Sequence, residues 1–254
     1  MTDGNNPPTL FVIGAHLDDA VLSCGGTLSS LGRAGWRLIV ATVFTEAAPV
    51  DEPWELDRFN LAGGDSLLSG LAKRRAEDRE AGRRLGYLPI HLGFTDASFR
   101  APYRRSERGI AAFADRAEAA GDVLAPLIAA RLESTAAAAR PDLVFAPMSI
   151  GDHVDHLVVN SASRTAFSGS RPQALWYEDL PYGWSTTPEV AMTVAPQYFD
   201  EVDLERKLAA IAAFESQLDY LDETGNWRDR MTHHARSIAA SRLAERMWSP
   251  AAVP

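Results

Sequence analysis

The sequence contains a single cysteine, Cys24, so no disulfide can close within the chain. That suits a reducing compartment. No apolar run approaches the roughly 20 residues that a membrane span needs. The N-terminal stretch MTDGNNPPTL has no basic start and no long apolar segment, so no secretory signal is expected. A cytoplasmic protein without a membrane span is the expectation. Excess positive charge is missing too. Lys and Arg number 25 against 34 Asp and Glu, and the net charge of −9 disfavours general nucleic-acid binding. The basic clusters KRR (Lys73 to Arg75) and YRRSER (Tyr103 to Arg108) are short and flanked by acidic residues, so they read mostly as solvated faces. No GxGxxG or GxxxxGK[ST] stretch supports nucleotide binding, and no GxSxG elbow supports a serine hydrolase. Internal repeats, low-complexity tracts and linkers are also absent.

With 254 residues, 46% of them hydrophobic, the chain can bury one large core. A single domain over residues 1–254 is expected. Strand-like runs are Thr9 to Ile13, Leu38 to Phe44, Pro89 to Leu92, Leu143 to Ala146, Ala174 to Glu178 and Val190 to Val194. Between and after them lie helix-like segments. These are Asp19 to Ala34, weakened by Gly25 and Gly26, then Leu67 to Leu85, Asp122 to Ala139, and His153 or Val154 to about Phe167. Asp203 to Tyr220 and Met231 to Trp248 read as two late helices. Such alternation predicts an α/β fold with a mainly parallel sheet.

In open sheets of this kind, ligands bind beyond the carboxyl ends of the strands. GAHLDDAVLSCGG, residues 14 to 26, leaves the first strand there with His16, Asp18 and Asp19. PMSIGDHVDHLVV, residues 147 to 159, leaves another with His153, Asp155 and His156. Each group alone could cap a helix. A cap needs one short polar residue, however, and here three ionisable groups recur at two strand exits. Catalytic zinc takes three protein ligands and keeps a position open. His16 and Asp19, three apart, can aim at one point, and His156 can supply the third ligand. Asp18 is then the base that takes a proton from the attacking water. His153 can bond a developing oxyanion or protonate a leaving amine. Asp155 can orient a histidine. The set suits amide hydrolysis.

These two motifs resemble those of the PIG-L/LmbE-like family of zinc-dependent N-deacetylases, usually written AHPDDE and HxDH. RAEDREAGRRLG (Arg75 to Gly86), KLAAIAAFESQ (Lys207 to Gln217) and AERMW (Ala244 to Trp248) resemble later family segments. The resemblance implies a Rossmann-like three-layer sandwich with the metal site at the C-terminal strand ends. It assigns His16, Asp19 and His156 to zinc, Asp18 as the base, His153 as oxyanion or acid group and Asp155 as a supporting partner that orients a histidine. It also aligns Arg74 with a substrate-binding arginine and brings Asp96 and Arg100 near substrate. An ion pair between Arg74 and Asp78 is the plainer alternative for Arg74. Leu17 and Ala20 depart from the usual Pro and Glu.

The expected cofactor is Zn2+, with Fe2+ also suited to such ligands. The expected reaction removes an N-acyl group, acetyl above all, from a small-molecule amino sugar or glycoconjugate. Two other readings share the fold: an amidase acting on a thiol conjugate or secondary metabolite, and a non-catalytic sugar-binding protein. A homo-oligomer is compatible with the sequence. Trp54, Phe94, Phe99 and Tyr103 are candidates to stack on a sugar. Cys24 reads as a small core residue, His91 as a satisfied strand residue, and His233 and His234 as surface residues.

Overall fold

The computed structural model describes residues 6–47, 67–100, 122–169, 172–186 and 192–250. The expected positions Trp54 and Tyr103, and the whole YRRSER cluster, lie outside the described residues. Strands and helices alternate through the first two thirds of the chain: β1 (Thr9–Gly14), α1 (Asp19–Arg33), β2 (Arg37–Glu46), α2 (Leu67–Leu85), β3 (Tyr87–Thr95), α3 (Leu124–Ala139), β4 (Leu143–Pro147), α4 (Val154–Ala166) and β5 (Gln173–Tyr177). There follow β6 (Met192–Val194), β7 (Gln197–Phe199), α5 (Glu201–Ile211), α6 (Leu218–Leu221), α7 (Trp227–Ser237), β8 (Leu243–Glu245) and β9 (Met247–Pro250).

The main sheet has seven strands in the order β3-β2-β1-β4-β5-β9-β6, and a small second sheet pairs β7 with β8. From β3 to β5 every pairing is parallel, while β9 runs antiparallel to both β5 and β6. The chain moves outward from β1 through β2 to β3, then returns to place β4 on the other side of β1. That reversal makes the β1/β4 boundary the switch point where a crevice opens.

Alternation along β1 builds the layers. Leu10 and Val12 join a core with Val21 and Leu28 of α1, Leu85 of α2 and Leu208 of α5. Phe11 and Ile13 face the other way, onto Ile128 and Leu132 of α3 and Val158 of α4. Successive residues of a strand point to opposite faces, so one apolar run seals both layers. Pro89 is tolerated in β3 because that strand lies at the sheet edge.

Two late elements differ from expectation. A helix from Asp203 to Tyr220 is predicted, but α5 ends at Ile211. Phe214 turns into the core, 1% exposed. Glu77 of α2 then takes hydrogen bonds from the Ser216 backbone N–H at 2.9 Å and hydroxyl at 2.6 Å, which fixes a turn before α6. The predicted helix from Met231 to Trp248 also stops early, at Ser237. Beyond it β9 docks on the open edge of β5, with Trp248 opposite Trp176 and Met247 opposite Tyr177. Met247 enters one core layer and Trp248 the other, as strand geometry demands.

Gly25 and Gly26 weaken α1 for a packing reason. A Cβ on Gly25 would lie 2.8 Å from Lys207 Cγ, and one on Gly26 would lie 2.7 Å from the Phe199 ring. Among the described residues, no helix is long and apolar enough to cross a membrane.

Candidate metal centre and active site

β1 delivers the chain to His16, and α1 starts at Asp19. Asp18 occupies the N-cap position of α1, yet its side chain makes no capping bond. Asp19 Oδ2 instead accepts from the His16 backbone N–H at 2.7 Å and closes the turn. The second exit follows β4. Gly151 sits there with φ +88°, where a Cβ would lie 2.6 Å from Tyr182 Cβ, so only glycine lets this loop close against Tyr182. His153 does cap its helix: Nδ1 accepts from the Asp155 backbone N–H at 3.2 Å. The capping explanation therefore holds for His153 and fails for Asp18.

The two exits meet. His16 Nε2 lies 3.0 Å from Asp155 Oδ2, and His156 Nδ1 lies 2.7 Å from Asp179 Oδ1. Each carboxylate holds one ring nitrogen and turns the other toward a common point. There His16 Nδ1 and His156 Nε2 are 3.3 Å apart. Asp19 Oδ2 is 3.4 Å from His156 Nε2 and 3.8 Å from His16 Nδ1. A tetrahedral ion about 2.0–2.1 Å from each ligand needs its ligand atoms roughly 3.3 Å apart. With their outer nitrogens donating to carboxylates, the two rings in their neutral form would present lone pairs to each other and to a third acceptor. Such a triangle calls for a cation, and its donor set fits a divalent metal.

Two other sets of donor atoms come within 4.8 Å among the described residues: His16, His153 and His156, and His16, Asp96 and Asp155. Both are less suited. His153 Nδ1 is engaged by the Asp155 N–H. Asp155 Oδ1 takes Arg100 Nη1 at 2.6 Å, and Oδ2 takes the Ala97 N–H and His16, both at 3.0 Å.

The electrostatics agree with that demand for positive charge. Burial lowers the pKa of His16, but the Asp155 hydrogen bond and the Asp19 and Asp96 carboxylates outweigh it and raise the group to about 9. His156 is also raised: burial opposes, and Asp19 and Asp179 prevail. Burial, then the neighbouring His16 and His156, push His153 down to about 2, so its ring is neutral. Asp155 is buried, which favours its neutral form, but His16 and Arg100 hold it below the usual carboxylate range.

A cavity of about 340 Å³ opens over these atoms. Its walls include His16, Asp18, Asp19, Arg74, Asp96, His153 and His156, together with Tyr182, Gln217 and Tyr220. Arg74 bonds Asp18 Oδ1 through Nη2 at 3.0 Å. It does not pair with Asp78, which binds the Tyr87 hydroxyl at 2.6 Å and His91 Nε2 at 2.7 Å. Asp96 lines the cavity with Oδ2 3.7 Å from His16 Nε2. Arg100 stands behind the site: it clamps Asp155 and packs 4.7 Å over the Phe44 ring.

The aromatic expectations shift. Phe99 is buried and Phe94 packs against a core layer, so neither offers a stacking face. The tyrosines that line the cavity are Tyr182 and Tyr220. His233 is exposed as expected, but His234 turns inward to Glu178 Oε2 at 2.6 Å. Arg75 of the KRR cluster likewise folds onto the Thr45 carbonyl and Glu46. Cys24 is buried and free, as expected. Asp179 escaped sequence reasoning. Its signal was a carboxylate just past β5, in WYEDLPYG, at a strand exit without histidine.

Residues 11–167 match the PIG-L family model, described as GlcNAc-PI de-N-acetylase. The chain belongs to the PIG-L family. A 2'-N-acetylparomamine deacetylase of Streptomyces fradiae is 31% identical over 272 residues, spanning 94% of this chain and 89% of that protein. The crystal structure of a deacetylase from the teicoplanin biosynthesis pathway is similar with a TM-score of 0.79 at 27% identity, covering 94% of this chain and 96% of that one. A zinc-inhibited form of teicoplanin deacetylase gives a TM-score of 0.79 at 25% identity, covering 94% and 97%. Within this PIG-L chain the two motif departures are internal. Leu17 and Ala20 are each 1% exposed in the core layer under α1, and neither lines the cavity.

Proposed function

We propose that this protein is a metal-dependent hydrolase that removes the acetyl group from the amide nitrogen of an amino sugar or its glycoconjugate. The carrying observation is the triangle of His16 Nδ1, His156 Nε2 and Asp19 Oδ2, set beside Asp18 in a cavity at the sheet's switch point. The similar deacetylases supply the substrate class. Those three residues would hold the ion. Zinc suits two nitrogens and a carboxylate, and iron(II) suits them as well. Once bound, the ion supplies Lewis acidity, polarising a carbonyl and lowering the pKa of water.

The side chains do the rest. Arg74 fixes Asp18 Oδ1, and Asp18 Oδ2 takes the proton of the attacking water. Because His153 Nδ1 accepts from the Asp155 N–H, the neutral ring carries its proton on Nε2. That N–H donates to the carbonyl oxygen as it gains negative charge. Asp18 then returns its proton to the departing amine. Asp155 and Asp179 hold His16 and His156 in the tautomers that direct lone pairs inward. Asp96, which lines the cavity, would bind a sugar hydroxyl. The single cysteine, buried in α1, supports a cytoplasmic setting.

Amine release from 2'-N-acetylparomamine and N-acetylglucosamine tests this reading. Metal is added stepwise, zinc and iron(II) separately, because a similar enzyme has a zinc-inhibited form. Asp18→Asn should lower kcat by about 10²–10⁴ while the metal stays bound. Near-normal turnover in that variant would remove Asp18 as the base.

A further inference from the structure

A cavity of about 340 Å³ is at the small end for a ligand site. It takes one acetamido sugar ring and leaves little room for more. A substrate with a second ring must continue across the mouth. Gln217 and Tyr220 stand there, and Tyr220 is 67% exposed.

The turn that presents Tyr220 is firmly built. Buried Glu77 takes two hydrogen bonds from Ser216 on one side of it. Leu221, on the other side, is buried in the core layer. Gln217 is drawn in by its own bonds to the Ser216 carbonyl and hydroxyl, both 2.9 Å. The backbone is held on both flanks while the phenol ring is left facing water. Arg74, one helical turn before Glu77, reaches the metal-facing end of the cavity. The same helix therefore sets both the chemistry and the mouth.

We propose that Tyr220, with Gln217 beside it, is a specificity-determining residue that forms a subsite for the second ring of a two-ring amino-sugar substrate. This rests on the deacetylase reading above. The face of an aromatic ring is electron-rich and attracts the positive C–H edge of a sugar. An ammonium group on the second ring adds cation–π attraction.

The test compares two substrates. N-acetylglucosamine has one ring, and 2'-N-acetylparomamine carries a second, amine-bearing ring. Tyr220→Ala should lower the ratio of kcat/KM for the two-ring over the one-ring substrate by about 3- to 10-fold, through KM. Tyr220→Phe should keep the ratio. An equal loss on both substrates, or no loss, overturns the subsite. Calorimetry of the two-ring compound on Asp18→Asn, with and without Tyr220→Ala, reads binding where turnover does not intrude. A Kd weakened by the same factor supports the subsite even if no amine is ever released, in which case the deacetylase reading alone fails. An unchanged Kd, or no binding at all, overturns the subsite.

Discussion

Helix α1 touches two buried charge clusters, and they differ in kind. At its middle, Glu245 accepts from Lys207 Nζ at 2.7 Å, the Gly26 N–H at 2.8 Å, the Thr27 N–H at 2.9 Å and the Thr27 hydroxyl at 2.6 Å. Donors surround the carboxylate, and the adjoining cavity of about 10 Å³ barely admits a water. At its start, Asp19, His16 and His156 turn acceptors toward one another beside a cavity of about 340 Å³. Buried charge alone does not mark a functional site. The arrangement of the partners does: the first cluster is closed by its own donors, and the second sets two ring nitrogens and a carboxylate around one point, an arrangement that a cation would complete.

The largest effect expected from this contrast is structural. Glu245→Ala leaves Lys207 buried without its counter-ion and should cost about 3–5 kcal/mol in denaturant unfolding. Metal content per folded molecule should not change. Loss of metal with little loss of stability would reverse the roles given to the two clusters.

A smaller effect should follow from Arg100→Leu, which removes the clamp on Asp155. Metal affinity, measured by competition with a chelator, should fall about 10- to 100-fold. Unchanged affinity would mean that Asp155 holds His16 without Arg100.

Smallest is a pH effect on the metal-free protein. The pKa of His16 rises from its ordinary 6.5 to about 9 on folding. Between those values the folded protein keeps a proton that the unfolded chain has released. His16 therefore stabilises fully below the lower value, and that stability is lost as pH rises through the upper one. His156, raised as well, acts in the same direction. Tm should fall by several degrees from pH 6.5 to 9 without metal, and less with it. A flat metal-free profile would show that the triangle has no need of positive charge.

Both strand-exit motifs, which the structure brings together, were legible in the sequence because each is compact and follows an apolar strand. The parallel part of the sheet was legible for a similar reason: Leu10 to Ile13 and Val144 to Ala146 are buried on both faces and read as continuous apolar runs. What stayed hidden depends on distant partners. Asp179 matters only because β5 lies beside β4 and brings it to His156. AERMW becomes strand, not helix, because β5 and β7 offer open edges. Asp203 to Tyr220 breaks because Phe214 finds the core and Ser216 finds Glu77. The pairing of Arg100 with Asp155, 55 positions along the chain, was hidden for the same reason.

The most direct test of the central claim is metal content by elemental analysis, on purified wild type and on His16→Ala side by side. The wild type should carry close to one equivalent of a divalent metal per chain, and the variant should carry almost none. Wild-type protein that binds no metal even after incubation with zinc or iron(II) would contradict the account, leaving the converging acceptors to be satisfied by protons alone.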